Sequence, residues 1–283
     1  MEKGFDLKRF GLMVRWDLMT NWKSSVRIVL SMALGLLLMY ELNMMNTHNA
    51  AIPAQWQRRL LDMVAETNIA FVFFMLAGAA LIFVCMKTRQ QRIAFIMLPA
   101  SPAEKFLSRL LYATVGFFVM FFAASVIADV LRLVICLIVG PRMFSSVVLT
   151  GMGELYDGIT GLLTGWDDRE SGLLFYTRDI TEGLWDMATF VSMALFVHAL
   201  YLLGGSLFRR HALLSTTFSL IAIGLILGWL NVSPYSVNVM IGDVIKPTRI
   251  FPFFFGVLTV LCYWGAYRIY CRMQVINNKW INL

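Results

Sequence analysis

The sequence contains few charged residues and few residues of the kinds that hold metals. Only 14% of its 283 residues are Asp, Glu, Lys or Arg, whereas a soluble domain carries roughly 25%. Hydrophobic residues make up 59% of the chain, and its mean hydropathy is +0.71. Intrinsic disorder is excluded because it requires low hydrophobicity and high charge. A soluble globule cannot bury this much apolar surface, so the composition predicts an all-α integral membrane protein.

Cysteine and histidine are too sparse and too scattered to predict a metal site. The four cysteines lie in or at the end of apolar runs and form no C-x-x-C pair, which favours buried small hydrophobic side chains. They are Cys85, Cys136, Cys262 and Cys271. The three histidines stand alone, which argues against zinc. They are His48, His198 and His211.

Sequence motifs of catalysis are absent. The chain contains no G-x-x-x-x-G-K-[ST], no H-E-x-x-H and no G-x-S-x-G, so it has neither a P-loop nor a zinc-protease or hydrolase signature. The paired acids Asp167 and Asp168 lie in a Gly/Trp loop beside Arg169, where a solvated turn is the favoured interpretation. We therefore predict no catalytic, cofactor-binding or metal-binding residue, and no enzyme activity in this chain. An intramembrane enzyme is an alternative that the missing motifs argue against. A pocket lined by clustered polar side chains would favour it.

Six segments are apolar over the roughly 20 residues that a spanning helix requires. They cover about 26–45, 68–86, 110–140, 184–207, 212–232 and 250–271. They form one domain, 26–283, whose largest piece outside the predicted spans is the segment 141–183. Its glycines, acids and aromatic residues favour a small ordered cap or interfacial helices.

The distribution of Lys and Arg predicts the orientation. Sixteen of these bases lie in the N-terminal segment, the 87–109 loop, the 208–211 turn and the C-terminal end, against seven in the opposite loops. Because bases accumulate on the cytoplasmic side, both termini are expected there. The bases flank apolar runs and no zinc or helix-turn-helix pattern accompanies them, so the net charge of +7 favours the lipid surface over nucleic acid. The first long apolar run begins near Val26 and is too long for a cleavable signal peptide.

Residues 1–25 form a separate predicted segment. Leu7, Phe10, Val14, Leu18 and Trp22 recur every three or four residues, which predicts a helix over 5–25. Its basic residues and two tryptophans favour a helix that lies in the headgroup region. The alternative is a cytoplasmic extension of the first span.

The inner loop 87–111 contains the sharpest local signal. Ser101 and Glu104 form a capping box, since Ser101 can cap the N–H of Glu104 and Glu104 can reach back to Ser101. Pro102 occupies the first helical position, where its missing N–H costs nothing. Pro99 restricts Leu98 to extended geometry. The loop therefore bends and starts a new helix, and its apolar residues are of a kind that seeks a partner protein or the membrane surface.

Four polar residues inside apolar runs are candidates for function. Asp129 and Arg132 are three residues apart, which allows them to pair on one helix face; an ion pair that anchors the helix near the outer boundary is the favoured interpretation. Glu41 either lines a pathway or reaches the outer interface. His198 is expected to hydrogen-bond a neighbouring helix. Ionisable groups at membrane depth are otherwise a mark of function.

The segment MLPASPAEKFLSRLLY and the C-terminal AYRIYCRMQVINNKWINL resemble the membrane (permease) subunit of a bacterial type-2 ABC transporter, as does the pattern of an N-terminal helix, six spans and inner termini. The resemblance implies that residues 5–25 match the connecting helix of that family. It also implies that the loop around 93–109 docks on a separate ABC ATPase, which binds the ATP. The residues implicated are Phe95, Leu98, Pro99, Ser101, Pro102, Glu104, Lys105, Phe106 and Arg109.

The same resemblance implies an exporter in the bacterial inner membrane, completed by a second permease half that is either a second copy or a paralogue. One feature departs from the family. In that family an outer cap lies between the fifth and sixth spans. This chain has only the short stretch 233–249 there, and its larger outer segment follows the third span instead. The substrate stays open among lipid, peptide antibiotic and small hydrophobic drug. The alternative function is a membrane sensor, immunity or scaffold protein without transport. A secondary transporter is disfavoured, since matched discontinuous helices are not evident.

Overall fold

A computed structural model of the chain describes residues 5–45, 53–83, 89–139, 144–164, 180–208, 211–229 and 247–272. The elements of regular secondary structure in these ranges are all helices, which confirms the all-α fold class. They are α1 (Leu7–Met45), α2 (Pro53–Ala80), α3 (Arg89–Ile96), α4 (Pro102–Leu111), α5 (Phe117–Val139), α6 (Val147–Thr164), α7 (Ile180–Leu207), α8 (Ala212–Trp229) and α9 (Pro247–Arg272).

Five helical stretches among the described residues are long and apolar enough to cross a membrane. They are Leu7–Met45, Trp56–Ala80, Pro102–Ile138, Gly183–Leu207 and Arg249–Arg272. α8, where the fifth of six spans was expected over 212–232, has a shorter apolar part, Ala212–Ile226. The sixth crossing and the direction in which the chain crosses stay predictions.

α1 joins two segments that the sequence separated. It is continuous over 39 residues, which corresponds to about 58 Å at a rise of 1.5 Å per residue, roughly twice the thickness of a bilayer core. The expected boundary at residue 25 is therefore not the end of a helix. This continuity fits the alternative interpretation, in which residues 5–25 extend the first span.

α2 differs from the predicted span 68–86. The helix begins fifteen residues earlier, at Pro53, and ends at Ala80, after which residues 81–83 form a turn. Pro53 is well suited to the first turn of a helix. The early part buries Leu60, Met63 and Val64, whose spacing of three and four places them on one face. The search for a continuous apolar run did not include this part of α2, because the outward-facing side of the helix is polar there.

The new helix that the sequence predicts after Ser101 continues without a break into the third crossing. α4 passes into α5 through a π-helical turn, Tyr112–Gly116, of the kind often found where a helix changes its course. Gly78 of α2 packs against the end of this turn: a Cβ placed on Gly78 would lie 2.6 Å from the Phe117 ring. The small residue thus allows α2 to approach α5 closely.

Two hydrophobic clusters hold the helices together. The first lies between α1, α2 and α5 and contains Met32, Leu36, Tyr40, Met63 and Phe121, with Val147 of α6. The second joins the N-terminal part of α1 to α3, α4, α7 and α9 through Met13, Phe95, Phe106, Leu202 and Tyr270. α7 makes its most extensive contacts with α9. The outer segment 141–183 contributes α6, and its residues 165–179 lie outside the described residues.

Candidate functional site

The inner loop folds at its start as the capping box predicts. The Ser101 hydroxyl accepts from the Glu104 N–H at 3.3 Å, and the Glu104 carboxylate accepts from the Ser101 N–H at 2.9 Å. Ser101 is extended, and Pro102 occupies the first turn of α4. These contacts confirm the predicted helix start and fix the direction in which the third crossing begins.

Glu104 also caps a second helix, which the sequence did not predict. Its Oε1 accepts from the backbone N–H of Asp6 at 2.8 Å and from Arg9 Nη2 at 3.0 Å. The Glu104 side chain has no solvent-exposed surface. Glu104 precedes the predicted third span, 110–140. Burial alone raises the pKa of the Glu104 carboxyl, but the N–H donors of Asp6 and Ser101 and the Arg9 charge outweigh it and lower that pKa below its ordinary value. One ionised carboxylate thus joins the starts of α1 and α4.

Arg109 forms the second link between the loop and α1. Its Nη2 lies 2.9 Å from Oδ1 of Asp17, and both side chains are buried. The Asn21 amide donates to the same Asp17 oxygen at 2.6 Å. The Arg109 guanidinium also lies over the Phe95 ring, 4.9 Å from its centroid. Because a charge removed from water needs a partner, this arrangement locks α3 and α4 onto α1.

Phe106 joins the loop to α9, and Lys105 joins α4 to α3 within the loop. The Phe106 ring packs against Tyr267 and Tyr270 of α9, with centroids 5.5 and 5.9 Å away. The Lys105 Nζ donates to the carbonyl of Ile96 at 2.8 Å, at the end of α3. Lys105 therefore satisfies a helix C-terminus, where a cation is favourable.

The structure places five of the nine residues implicated in docking inside the chain. Phe95, Glu104, Lys105, Phe106 and Arg109 are buried, because they bind α1, α3 and α9 as described above. Leu98 and Ser101 are half-buried, and Pro99 and Pro102 are exposed. Docking on another chain would therefore use a different set. The exposed large apolar residues of the loop are Ile93, Ile96, Met97, Leu107 and Leu111, of which Met97 is the most exposed, at 78%.

Asp129 and Arg132 pair as predicted and hold a further helix. Arg132 Nη2 lies 3.2 Å from Asp129 Oδ1 and donates to the Ser145 carbonyl. Asp129 accepts from the Ser146 hydroxyl at 2.5 Å and from the Val147 N–H at 3.1 Å, the latter at the first residue of α6. A carboxylate at a helix N-terminus is stabilising, so the pair anchors α6 to the second half of α5.

Other polar side chains lie at the same end of α1 and α2. The Tyr40 hydroxyl and the Thr67 hydroxyl are 2.9 Å apart, and the Asn43 amide donates to Glu66 at 2.7 Å. Oε1 of Glu41 is buried and has no hydrogen-bond partner among the described residues. The Glu41 side chain as a whole is half-buried, and Nη1 of Arg132 and Nε2 of His198 likewise lack a hydrogen-bond partner among the described residues.

His198 binds a neighbouring helix, as its position predicts. Its Nδ1 lies 3.1 Å from the Tyr263 hydroxyl of α9. The small residues that follow on α7 also pack as expected: a Cβ on Gly204 would lie 2.0 Å from Thr216, and one on Gly205 would lie 2.4 Å from the Ala80 carbonyl oxygen. These positions serve helix packing.

The sequence did not predict the roles of Asp6, Arg9, Asp17 and Ser146, whose distant partners are 17 or more residues away in the chain. The available signal was the position of Asp17 directly after Trp16 and four residues after Met13, which places an acid beside apolar residues of one helix. Within the described part of the chain, no group of three or more His, Cys, Asp or Glu residues is positioned to hold a metal ion.

Long apolar helices, helix-capping carboxylates and close glycine contacts describe a multi-pass membrane protein, in which backbone polar groups are satisfied within helices. The inner loop, α3 to α4, is fixed to two of these helices, α1 and α9, by buried charges and aromatic rings. No protein-family model, no curated protein and no solved structure matches the chain.

Proposed function

We propose that the chain is the permease subunit of an ABC-type exporter in a bacterial inner membrane. A separate ABC ATPase binds and hydrolyses ATP, and a second permease half, either a second copy or a paralogue, completes the pathway. Substrate crosses by alternating exposure as two membrane halves rock against each other. The proposal rests on the sequence resemblance of the inner loop and the C-terminal segment.

The observation that carries the proposal is the way the inner loop is built. A coupling element has to pass a movement of its partner into the spans, which requires a rigid connection. Glu104 and Arg109 tie the loop to α1 through buried ion pairs at 3.0 and 2.9 Å, and α4 continues into α5. A displacement of the loop would therefore move the first and third crossings together.

The exposed edge of the loop provides the surface for such a partner. Ile93, Ile96 and Met97 are apolar and exposed at the end of α3 and in the turn that follows. The predicted orientation places this edge in the cytoplasm. Exposed apolar groups beside polar ones are typical of protein interaction sites. We expect Met97 to make the central contact.

The experiment is an affinity purification of the tagged chain from membranes in mild detergent, with the co-purifying proteins identified. Wild type is compared with Met97→Asp and with the control Met97→Leu, which keeps an apolar side chain. We expect a P-loop ATPase with wild type and Met97→Leu and its loss with Met97→Asp, since Asp would place a charge in the contact. A stable wild-type chain that brings down no ATPase would contradict the proposal and favour a sensor, immunity or scaffold role.

A further inference from the structure

α6 presents an apolar face that points away from the rest of the chain. Leu149, Met152, Tyr156 and Ile159 are exposed, Leu149 and Tyr156 by 70% and 69%. At 100° per residue these four positions fall within an arc of about 80°. Val147, on the opposite side of the helix, is buried in the first hydrophobic cluster. The face is therefore continuous, apolar and unpartnered among the described residues.

The charges of α6 lie off this face. Glu154 falls roughly opposite the apolar arc and Asp157 on its flank, and both are exposed. α6 contains no Lys or Arg. The helix is thus amphipathic in the manner of one that lies at a membrane surface, with an apolar face in the lipid and acids toward water. Its lack of bases means that apolar burial, and not attraction to anionic headgroups, would hold it there.

The anchor of α6 lies near the outer boundary that the sequence predicts for the third crossing. Asp129 accepts from the N–H of Val147 and lies about 20 residues after the start of the third predicted span at Leu110, which corresponds to one bilayer core. α6 also packs against α7, whose outer part exposes Ile180, Leu184 and Phe190. α6 is therefore packed beside a helix whose own surface is apolar and exposed.

We propose that α6 is an interfacial helix whose face of Leu149, Met152, Tyr156 and Ile159 is covered by the acyl chains of the lipid leaflet at the α5–α6 end of the molecule. Acyl chains suit this face because it carries no charge and continues a lipid-facing surface. The proposal goes beyond transport and holds whether or not an ATPase binds the chain. Because α6 has no bases, its depth does not depend on the fraction of anionic lipid.

The test uses site-directed spin labels on the full-length chain in phosphatidylcholine vesicles. The four cysteines are replaced by alanine, and a nitroxide is attached to Tyr156→Cys, with Met152→Cys as a second label on the same face. Asp157→Cys is the matched control one residue away. We expect molecular oxygen to relax the labels at 152 and 156 more strongly than a water-soluble nickel chelate does. The order reverses at 157.

Two outcomes would overturn the proposal. Strong relaxation by the nickel chelate at all three positions would place the face in water. Protection of 152 and 156 from both relaxants, together with dipolar coupling between labels on two copies, would assign the face to contact with a second copy. Either result is readable with Met152→Cys alone if Tyr156→Cys does not fold, and neither depends on recovery of an ATPase.

Discussion

Two buried carboxylates, Glu104 and Asp129, each hold the N-terminus of a helix while they pair with an arginine. Glu104 accepts from the N–H groups of Asp6 and Ser101 and binds Arg9. Asp129 accepts from Val147 and binds Arg132. A carboxylate that accepts from N–H donors and from a guanidinium makes charge-assisted hydrogen bonds, which are stronger than those between neutral groups. At the scale of single residues, these groups organise the chain more than any isolated apolar contact does.

Glu104→Gln is expected to lower the free energy of unfolding by about 2 kcal/mol at neutral pH, since hydrogen bonds to a charged group are worth about 1.5–3 kcal/mol. The pKa of Glu104 is lowered in the folded chain from its ordinary value of 4.5. Its contribution is therefore present above that value and is lost as the pH falls through the folded pKa. Thermal unfolding in detergent at about pH 7 and about pH 4 measures the difference between wild type and variant.

The difference in stability between wild type and Glu104→Gln should shrink at the acidic pH. The control is Glu154→Gln, which changes an exposed carboxylate and should shift stability by less than about 0.5 kcal/mol. A difference that stays constant or grows on acidification would show that the ionised carboxylate does not make the contacts described.

Asp129→Asn and Glu41→Gln are expected to have opposite effects on stability. Asp129→Asn breaks a buried ion pair, which costs about 3–5 kcal/mol. Glu41→Gln removes a charge whose buried oxygen has no partner among the described residues, so stability should be unchanged or improved. Thermal unfolding of both variants decides this. Equal loss in the two would mean that Glu41 has a structural partner, whereas loss of transport in a stable Glu41→Gln would assign Glu41 to the pathway.

At the scale of helices, the sequence predicts what depends on neighbours in the chain. The Ser101–Glu104 capping box spans three residues and formed as expected, and the Asp129–Arg132 pair also spans three. The inward direction of Phe95, Phe106 and Arg109 was not predictable, because their partners Trp16, Tyr270 and Asp17 lie 79, 164 and 92 residues away. The early start of α2 was not predictable for the same reason, because its buried face becomes apparent only when the distant helices α1 and α5 pack on it.

Helix packing predicts a contrast between two glycines. Gly205→Ala should destabilise the chain, because its Cβ would lie 2.4 Å from the backbone carbonyl oxygen of Ala80, and overpacking costs about 1–3 kcal/mol. Gly35→Ala in α1 is the matched control. A Cβ there has no neighbour within 4 Å, and alanine in a helix interior gains about 0.5–1 kcal/mol. Thermal unfolding that shows no loss for Gly205→Ala would contradict the close contact of α7 with α2.

At the scale of the whole molecule, the number of crossings decides the side on which each loop lies. Five helices in the described part of the chain qualify by length and composition, and the predicted cytoplasmic position of both termini requires that α8 also cross. α8 has 18 residues, or about 27 Å, which approaches the thickness of a bilayer core. The apolar and exposed side chains of α8, Phe218 and Ile221 among them, suit contact with lipid.

Single cysteines at the two ends of α8 test this crossing. In a cysteine-free chain, His211→Cys and Trp229→Cys should react with a membrane-impermeant maleimide from opposite sides of the membrane, 211 from inside and 229 from outside. The sidedness follows from the distribution of bases. Reaction of both from the same side would show that α8 does not cross and that the chain has an odd number of spans.

The proposal that the chain is an ABC permease is tested most directly by ATP hydrolysis in the purified, reconstituted complex. We expect wild-type preparations to hydrolyse ATP, Met97→Leu to retain that activity, and Met97→Asp, although folded, to fall to background because its partner is lost. A folded wild-type chain, reconstituted in vesicles with its co-purifying proteins and without ATP hydrolysis above background, would contradict the permease function.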